Sequence, residues 1–252
     1  MQKTPKKIVY RRFPDGPTTM LILSDSAFKK EEESGHALKG VLYIRLPAAA
    51  AEPLGRNPGI LKTEKGKQYL LSVCHILEFM SRSQKHVTRS TFASELFAAC
   101  DAMDHGFLLA VILHQVQTGQ CDISTARQLR ERGGWATRII LAVDAMSIFA
   151  AITATQIKIP ADSSLLSHLQ YLRELLDHQV LNAFWWVDTR DMLADGLTKG
   201  AIDRAALHLA MGGSIAMSAE MYQFISPPNA VPEYSLWTQE HIEQVFDQHH
   251  LL

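Results

Sequence analysis

The chain of 252 residues has few cysteines, no obvious bilayer-length apolar run, and no lysine or arginine after Arg204. Each scarcity excludes something. Cys74, Cys100 and Cys121 are three thiols without paired spacing, so neither a disulfide framework nor a zinc site is indicated, and buried free thiols are expected. Without a long apolar stretch or the apolar core of a signal peptide at Met1–Lys7, the expectation is an intracellular protein, cytoplasmic or nuclear, with no membrane partner. Charge is unevenly spread. Residues 1–12 carry Lys3, Lys6, Lys7, Arg11 and Arg12 with no acid, whereas residues 205–252 carry Glu220, Glu233, Glu240, Glu243 and Asp247 with no cation. A basic arm over residues 1–17 suits a polyanion, though a solvated arm has the same composition. The remainder, 47% hydrophobic and 20% charged, is globular and long enough to bury a large core. No internal repeat is present.

What is there is organised around residues 18–28. Met20-Leu21-Ile22-Leu23 is a continuous apolar run that suits a strand covered on both faces, in the middle of a sheet, and it delivers Asp25 to its end. The device recurs. Arg138 to Asp144 is an apolar run ending in an acid, and the aromatic run Asn182 to Asp188 is followed by Asp191 and Asp195. A single Asp after a strand is ordinarily a turn or a helix cap, but three strands delivering acids point to a shared acidic site.

In chain order, residues 37–46 form a second strand that pairs with the first across the charged turn at residues 29–35. Residues 47–66 have the Pro and Gly punctuation of an insertion, and residues 69–79 form a third strand. Ser81 to Ser90 then combines Arg82, Lys85, Arg89 and His86 with hydroxyl and amide side chains and has no acid, the chemistry of a phosphate contact or of a polar connector. Ser90 or Thr91 caps a helix whose apolar stripe runs through Phe92, Leu96, Ala99, Met103, Phe107, Ala110 and Leu113, with Glu95 beside it. Residues 115–137 read as a second, polar insertion. The fourth strand passes into a helix over residues 145–155, Ser163 or Ser164 caps the next helix, and a fifth strand covers residues 181–187. Asp191 then caps a short helix to Lys199, Gly212-Gly213 ends another, and residues 213–252 form an acidic tail with one weak helix. Three antiparallel strands followed by crossover units define an α/β order. Asp25, Glu95, Asp144 and Asp195 come from strand one, helix one, strand four and the short late helix.

Four blocks in this order resemble the ribonuclease H domain of copia-type LTR retrotransposon polyproteins, the ribonuclease H associated with reverse transcriptase. They are Ser24-Asp25-Ser26-Ala27; Ser81-Arg82-Ser83-Gln84-Lys85 with Arg89 to Leu96; Val143 to Ser147; and Trp186 to Lys199, whose Leu-Ala-Asp-Gly-Leu-Thr-Lys ending is the most specific. The resemblance covers residues 18–200. It implies a ribonuclease H-like fold of five mixed strands flanked by helices, occupying residues 18–212 with insertions near 47–66 and 115–137. It further implies that Asp25, Glu95, Asp144 and Asp195 are both catalytic and metal-holding, that Mg²⁺ is the cofactor with Mn²⁺ as substitute, and that the partner is an RNA–DNA hybrid with a reverse transcriptase domain upstream. Arg82, Lys85, Arg89, Ser90 and Ser147 become the nucleic-acid contacts. Ala145 and Met146 stand where the family commonly has Asn-Gln, and His168 is the candidate for the accessory catalytic histidine.

Four carboxylates without His or Cys suit a hard oxygen-seeking cation better than zinc. The expectation is a metal-dependent endonuclease cutting the RNA strand of hybrids. The alternative is a domesticated or degenerate copy that binds nucleic acid or protein without catalysis.

Overall fold

The structure, a computed structural model, describes residues 7–28, 36–85 and 88–227. In chain order the elements are β1 (Thr18–Ala27), β2 (Leu38–Pro47), β3 (Gly59–Lys62), β4 (Leu70–Val73), β5 (His75–Ser83), α1 (Thr91–Thr118), α2 (Ile123–Arg132), β6 (Arg138–Val143), α3 (Met146–Thr153), α4 (Leu166–Asp177), β7 (Ala183–Val187), α5 (Asp195–Thr198), α6 (Ala205–Met211), β8 (Ser214–Met217) and β9 (Met221–Ile225). The main sheet runs β3-β9-β7-β6-β1-β2-β5. β1 lies inside it, antiparallel to β2 and parallel to β6. Met20, Leu21, Ile22 and Leu23 are all fully buried, because alternate residues enter two different cores. Met20 and Ile22 pack under α1, α3 and α4, and Leu21 and Leu23 pack against the side carrying α5 and α6.

Helix positions follow from local chemistry. The Ser90 hydroxyl accepts from the Ala93 N–H at 3.1 Å to start α1, and Gly119 in the left-handed region ends it. The expected apolar stripe of α1 is buried from Leu96 to Leu113. Contrary to the sequence expectation, α1 is long and apolar enough to cross a bilayer by length and composition, and half of its most apolar window is buried here. Asp162, rather than Ser163 or Ser164, provides the cap before α4, accepting from the Ser164 N–H at 3.1 Å.

The sheet departs from five strands in two places. The third strand expected over residues 69–79 is broken at Cys74, whose N–H donates to Gly213 O, so β4 leaves the main sheet and pairs with β8 while β5 stays beside β2. At the other edge β9 pairs with β7, and β3, from the stretch read as an insertion, pairs with β9. The main sheet therefore has seven strands. The boundary expected near Gly212-Gly213 does not divide the fold, since β8 and β9 follow it. An uncovered β7 would present a row of unpaired backbone groups, and β9 removes that liability. The second stretch read as an insertion holds the end of α1 and α2. Part of the basic arm is fastened down: Val9 N–H donates to Met211 O, and Arg11 Nε donates to Gly212 O at 3.0 Å. The charged turn at 29–35 and the weak terminal helix lie outside the described residues.

Candidate metal centre

Register brings the first two acids together. Ser24 of β1 faces Val143 of β6 in a parallel pair, so one step further along both chains Asp25 and Asp144 stand side by side at the strand ends. Glu95, in the first turns of α1, reaches them from above the sheet. One carboxylate oxygen from each of Asp25, Glu95 and Asp144 lies within 4.8 Å of the other two. These three acids form a group that could hold a metal ion.

A buried network fixes the approach of α1. Gln84 Nε2 donates to Ser94 O at 2.7 Å and to Ser26 Oγ at 3.1 Å, and the Ser26 and Ser94 hydroxyls bond to each other. Ser26 follows Asp25 and Ser94 precedes Glu95, so this polar knot locks the two acids against one another. Gln84 is only 4% exposed, which makes it a strut.

The fourth acid arrives differently. Asp195 opens α5, which rests on β2 at Gly40, the residue opposite Asp25. A Cβ on Gly40 would stand 2.7 Å from Thr198 Cγ2 and 2.9 Å from Ala194 O, so the close approach of α5 demands glycine. Ser81 Oγ adds a hydrogen bond to Leu197 O at 2.7 Å. From α5 the Thr198 hydroxyl donates to Asp25 Oδ2, while Lys199 Nζ lies 2.6 Å from Asp195 Oδ1 and 3.6 Å from Asp25 Oδ1. Asp195 thus stands next to the three-acid group but is held by an ammonium. Asp144 is oriented by Thr189 Oγ1, which donates to its Oδ2 at 3.2 Å.

Crowding sets the electrostatics. Burial first, then Asp25 and Asp144, push the Glu95 carboxyl up to about 9. Burial and Asp25 also raise Asp144, and burial raises Asp195 even though the Lys199 hydrogen bond pulls it down. Burial disfavours the Lys199 cation, but Asp195 and Asp25 outweigh this and raise its pKa. Glu95 Oε2 is buried without a hydrogen-bond partner. An orphaned buried carboxyl oxygen costs about 1–3 kcal/mol. Oxygen-only donors, mutual repulsion and this orphaned atom fit a hard divalent cation.

The other expected contacts scatter. Arg82 is exposed on β5, Lys85 lines a cavity of about 310 Å³ with Asp101 and Tyr171, and Arg89 lines a separate groove of about 760 Å³ with Ser90 and Lys158. Ser147 is exposed on the first turn of α3. His168 packs edge-on against Phe97 and lines the same cavity as Lys85. Asp191 does not cap the short helix: its Oδ2 accepts from the Ser218 and Ala219 N–H groups at 3.0 and 2.7 Å, tying down the β8–β9 connection. Lys199, Gly40 and Gln84 had no separate roles in the sequence reading. Lys199 was findable, since four residues past Asp195 is one helical turn. A glycine inside a strand also signals close backbone approach.

Neither comparison with models of known protein families nor comparison with curated proteins returns a match.

Proposed function

We propose that the protein is a metal-dependent endonuclease of ribonuclease H type that hydrolyses the RNA strand of RNA–DNA hybrids and derives from a copia-type retrotransposon. The observation that carries this reading is the convergence of Asp25, Glu95 and Asp144 within 4.8 Å, at the ends of the adjacent parallel strands β1 and β6. The seven-stranded mixed sheet is compatible with that fold, β7-β6-β1-β2-β5 being five contiguous strands that end at one edge. Asp25, Glu95 and Asp144 would hold Mg²⁺, or Mn²⁺ in its place, with Asp195 completing the set. Divalent ions held there would supply the chemistry of an in-line displacement, activation of an attacking water and stabilisation of the departing oxyanion. The protein's own share is placement. The Gln84–Ser26–Ser94 knot holds Glu95 against Asp25, Thr189 aims Asp144, and Arg82, Lys85, Arg89, Ser90 and Ser147 offer exposed donors for phosphate oxygens. The 2′-hydroxyl would distinguish RNA from DNA.

A second reading, a non-catalytic binding protein, is favoured by one observation: Ala145 and Met146 put apolar side chains beside Asp144, with Met146 41% exposed. Cleavage decides between them. With Mg²⁺ present, hybrid RNA is expected to be cut in preference to double-stranded RNA and double-stranded DNA, and Asp144→Asn is expected to cut none while melting at or slightly above the wild-type temperature in the absence of metal. Intact hybrid after incubation with folded wild-type protein would leave the binding reading standing. An Asp144→Asn protein that cuts at the wild-type rate would remove Asp144 from the site.

A further inference from the structure

We infer that Lys199 is a built-in counter-ion that holds the place of a second divalent cation in the free protein, so that one ion binds at Asp25, Glu95 and Asp144 and a second binds only when Lys199 withdraws. The inference rests on the metal-centre reading above. The four carboxylates fall into two sets. Three gather within 4.8 Å, and the fourth, Asp195, is engaged by Lys199 at 2.6 Å. Asp25 belongs to both sets, because the same ammonium lies 3.6 Å from its Oδ1. The ammonium therefore sits between Asp25 and Asp195, where a second cation shared by these two acids would have to sit.

Competition follows from charge and space. A divalent ion drawn to Asp195 and Asp25 would meet a resident positive charge on the same oxygens, and like charges at such separations repel strongly in a partly buried site. Lys199 is nevertheless able to leave. Its side chain is 39% exposed at the end of a four-residue helix, and a flexible four-carbon stem carries the charge. A phosphodiester arriving at the centre brings anionic oxygens that can take over the ammonium and free Asp195. Substrate and second ion would then bind together. The free protein meanwhile keeps Asp25 and Asp195 compensated by one cation.

The test is calorimetric titration of the full chain with Mg²⁺ and with Mn²⁺, comparing wild type, Lys199→Met and Lys199→Arg, alongside melting without metal. The wild type is expected to take up one ion. Lys199→Met is expected to take up a second, or to bind about tenfold more tightly, and to melt lower than wild type when metal is absent. Lys199→Arg keeps the charge and should keep the single ion. Equal stoichiometry and affinity in wild type and Lys199→Met would overturn the counter-ion role and leave the metal centre intact. Uptake by neither protein would overturn the metal centre and this inference with it. Should Lys199→Met not fold, the wild type still answers through acylation of Lys199 read by mass spectrometry. Protection that survives filling of the three-acid site and falls only at Mg²⁺ concentrations well above it supports displacement, and reactivity indifferent to Mg²⁺ at every concentration refutes it.

Discussion

Glu95 is the residue on which the electrostatics of the centre turn. Buried to 6% exposure beside two other acids, its carboxyl is raised from 4.5 to about 9, so in metal-free protein it is protonated at neutral pH. The folded value exceeds the unfolded one. The stabilising contribution is therefore complete below about pH 4.5 and is lost as pH rises toward 9, where the folded carboxyl must also ionise in a crowded site. Melting temperature without metal is expected to fall across that window, by about 5 °C or more, and Glu95→Gln should flatten the slope. Metal reverses the sense. Binding must expel the Glu95 proton, so affinity for Mg²⁺ should rise with pH by up to about tenfold per unit below 9. A pH-independent affinity would mean that Glu95 is not a ligand.

At the scale of elements, the centre depends on how closely two helices are seated on one sheet. α1 is held by its Ser90 cap, its buried stripe and the Gln84 strut, which are redundant supports. α5 has less to rely on, being four residues long, and its seat is the bare backbone of Gly40. A methyl group there must push away Thr198 and Ala194, and with them the Thr198 hydrogen bond to Asp25 and the approach of Asp195. Gly40→Ala is expected to cost about 1–3 kcal/mol in stability, as overpacking does, and to reduce hybrid cleavage more than the lost stability explains. Denaturant unfolding and a cleavage assay on the folded fraction separate the two effects. An unchanged rate would show that α5 can shift without moving its acid.

For the whole molecule, the decisive feature is the sheet edge beyond β7. Trp185 of β7 donates to Gln223 Oε1 of β9 at 3.1 Å, Gln223 Nε2 donates to Gly55 O at 3.0 Å, and Gln179 Nε2 donates to Ser226 O, so residues after Gly213 belong to the core assembly. A chain ended at Gly213 is expected to aggregate, and size-exclusion chromatography and melting check this. The sequence by itself determined the elements whose causes are local or periodic. The all-apolar run Met20 to Leu23 required a strand covered on both faces, the stripe from Leu96 to Leu113 required a core helix, and acids placed after strand ends required a common rim for Asp25 and Asp144. Tertiary structure decided what depends on partners far apart in the chain. Residues 221–225 become a strand because β7 offers unpaired N–H and C=O groups to the first chain that reaches it, and residues 59–62 become one because β9 then offers its own free edge. Gln84, chemically a phosphate contact, became a strut once Ser26 and Ser94 were brought to it. Lys199 became part of the centre for the same reason: one helical turn put it beside Asp195, but only the docking of α5 on β2 put it within reach of Asp25, 174 residues earlier in the chain.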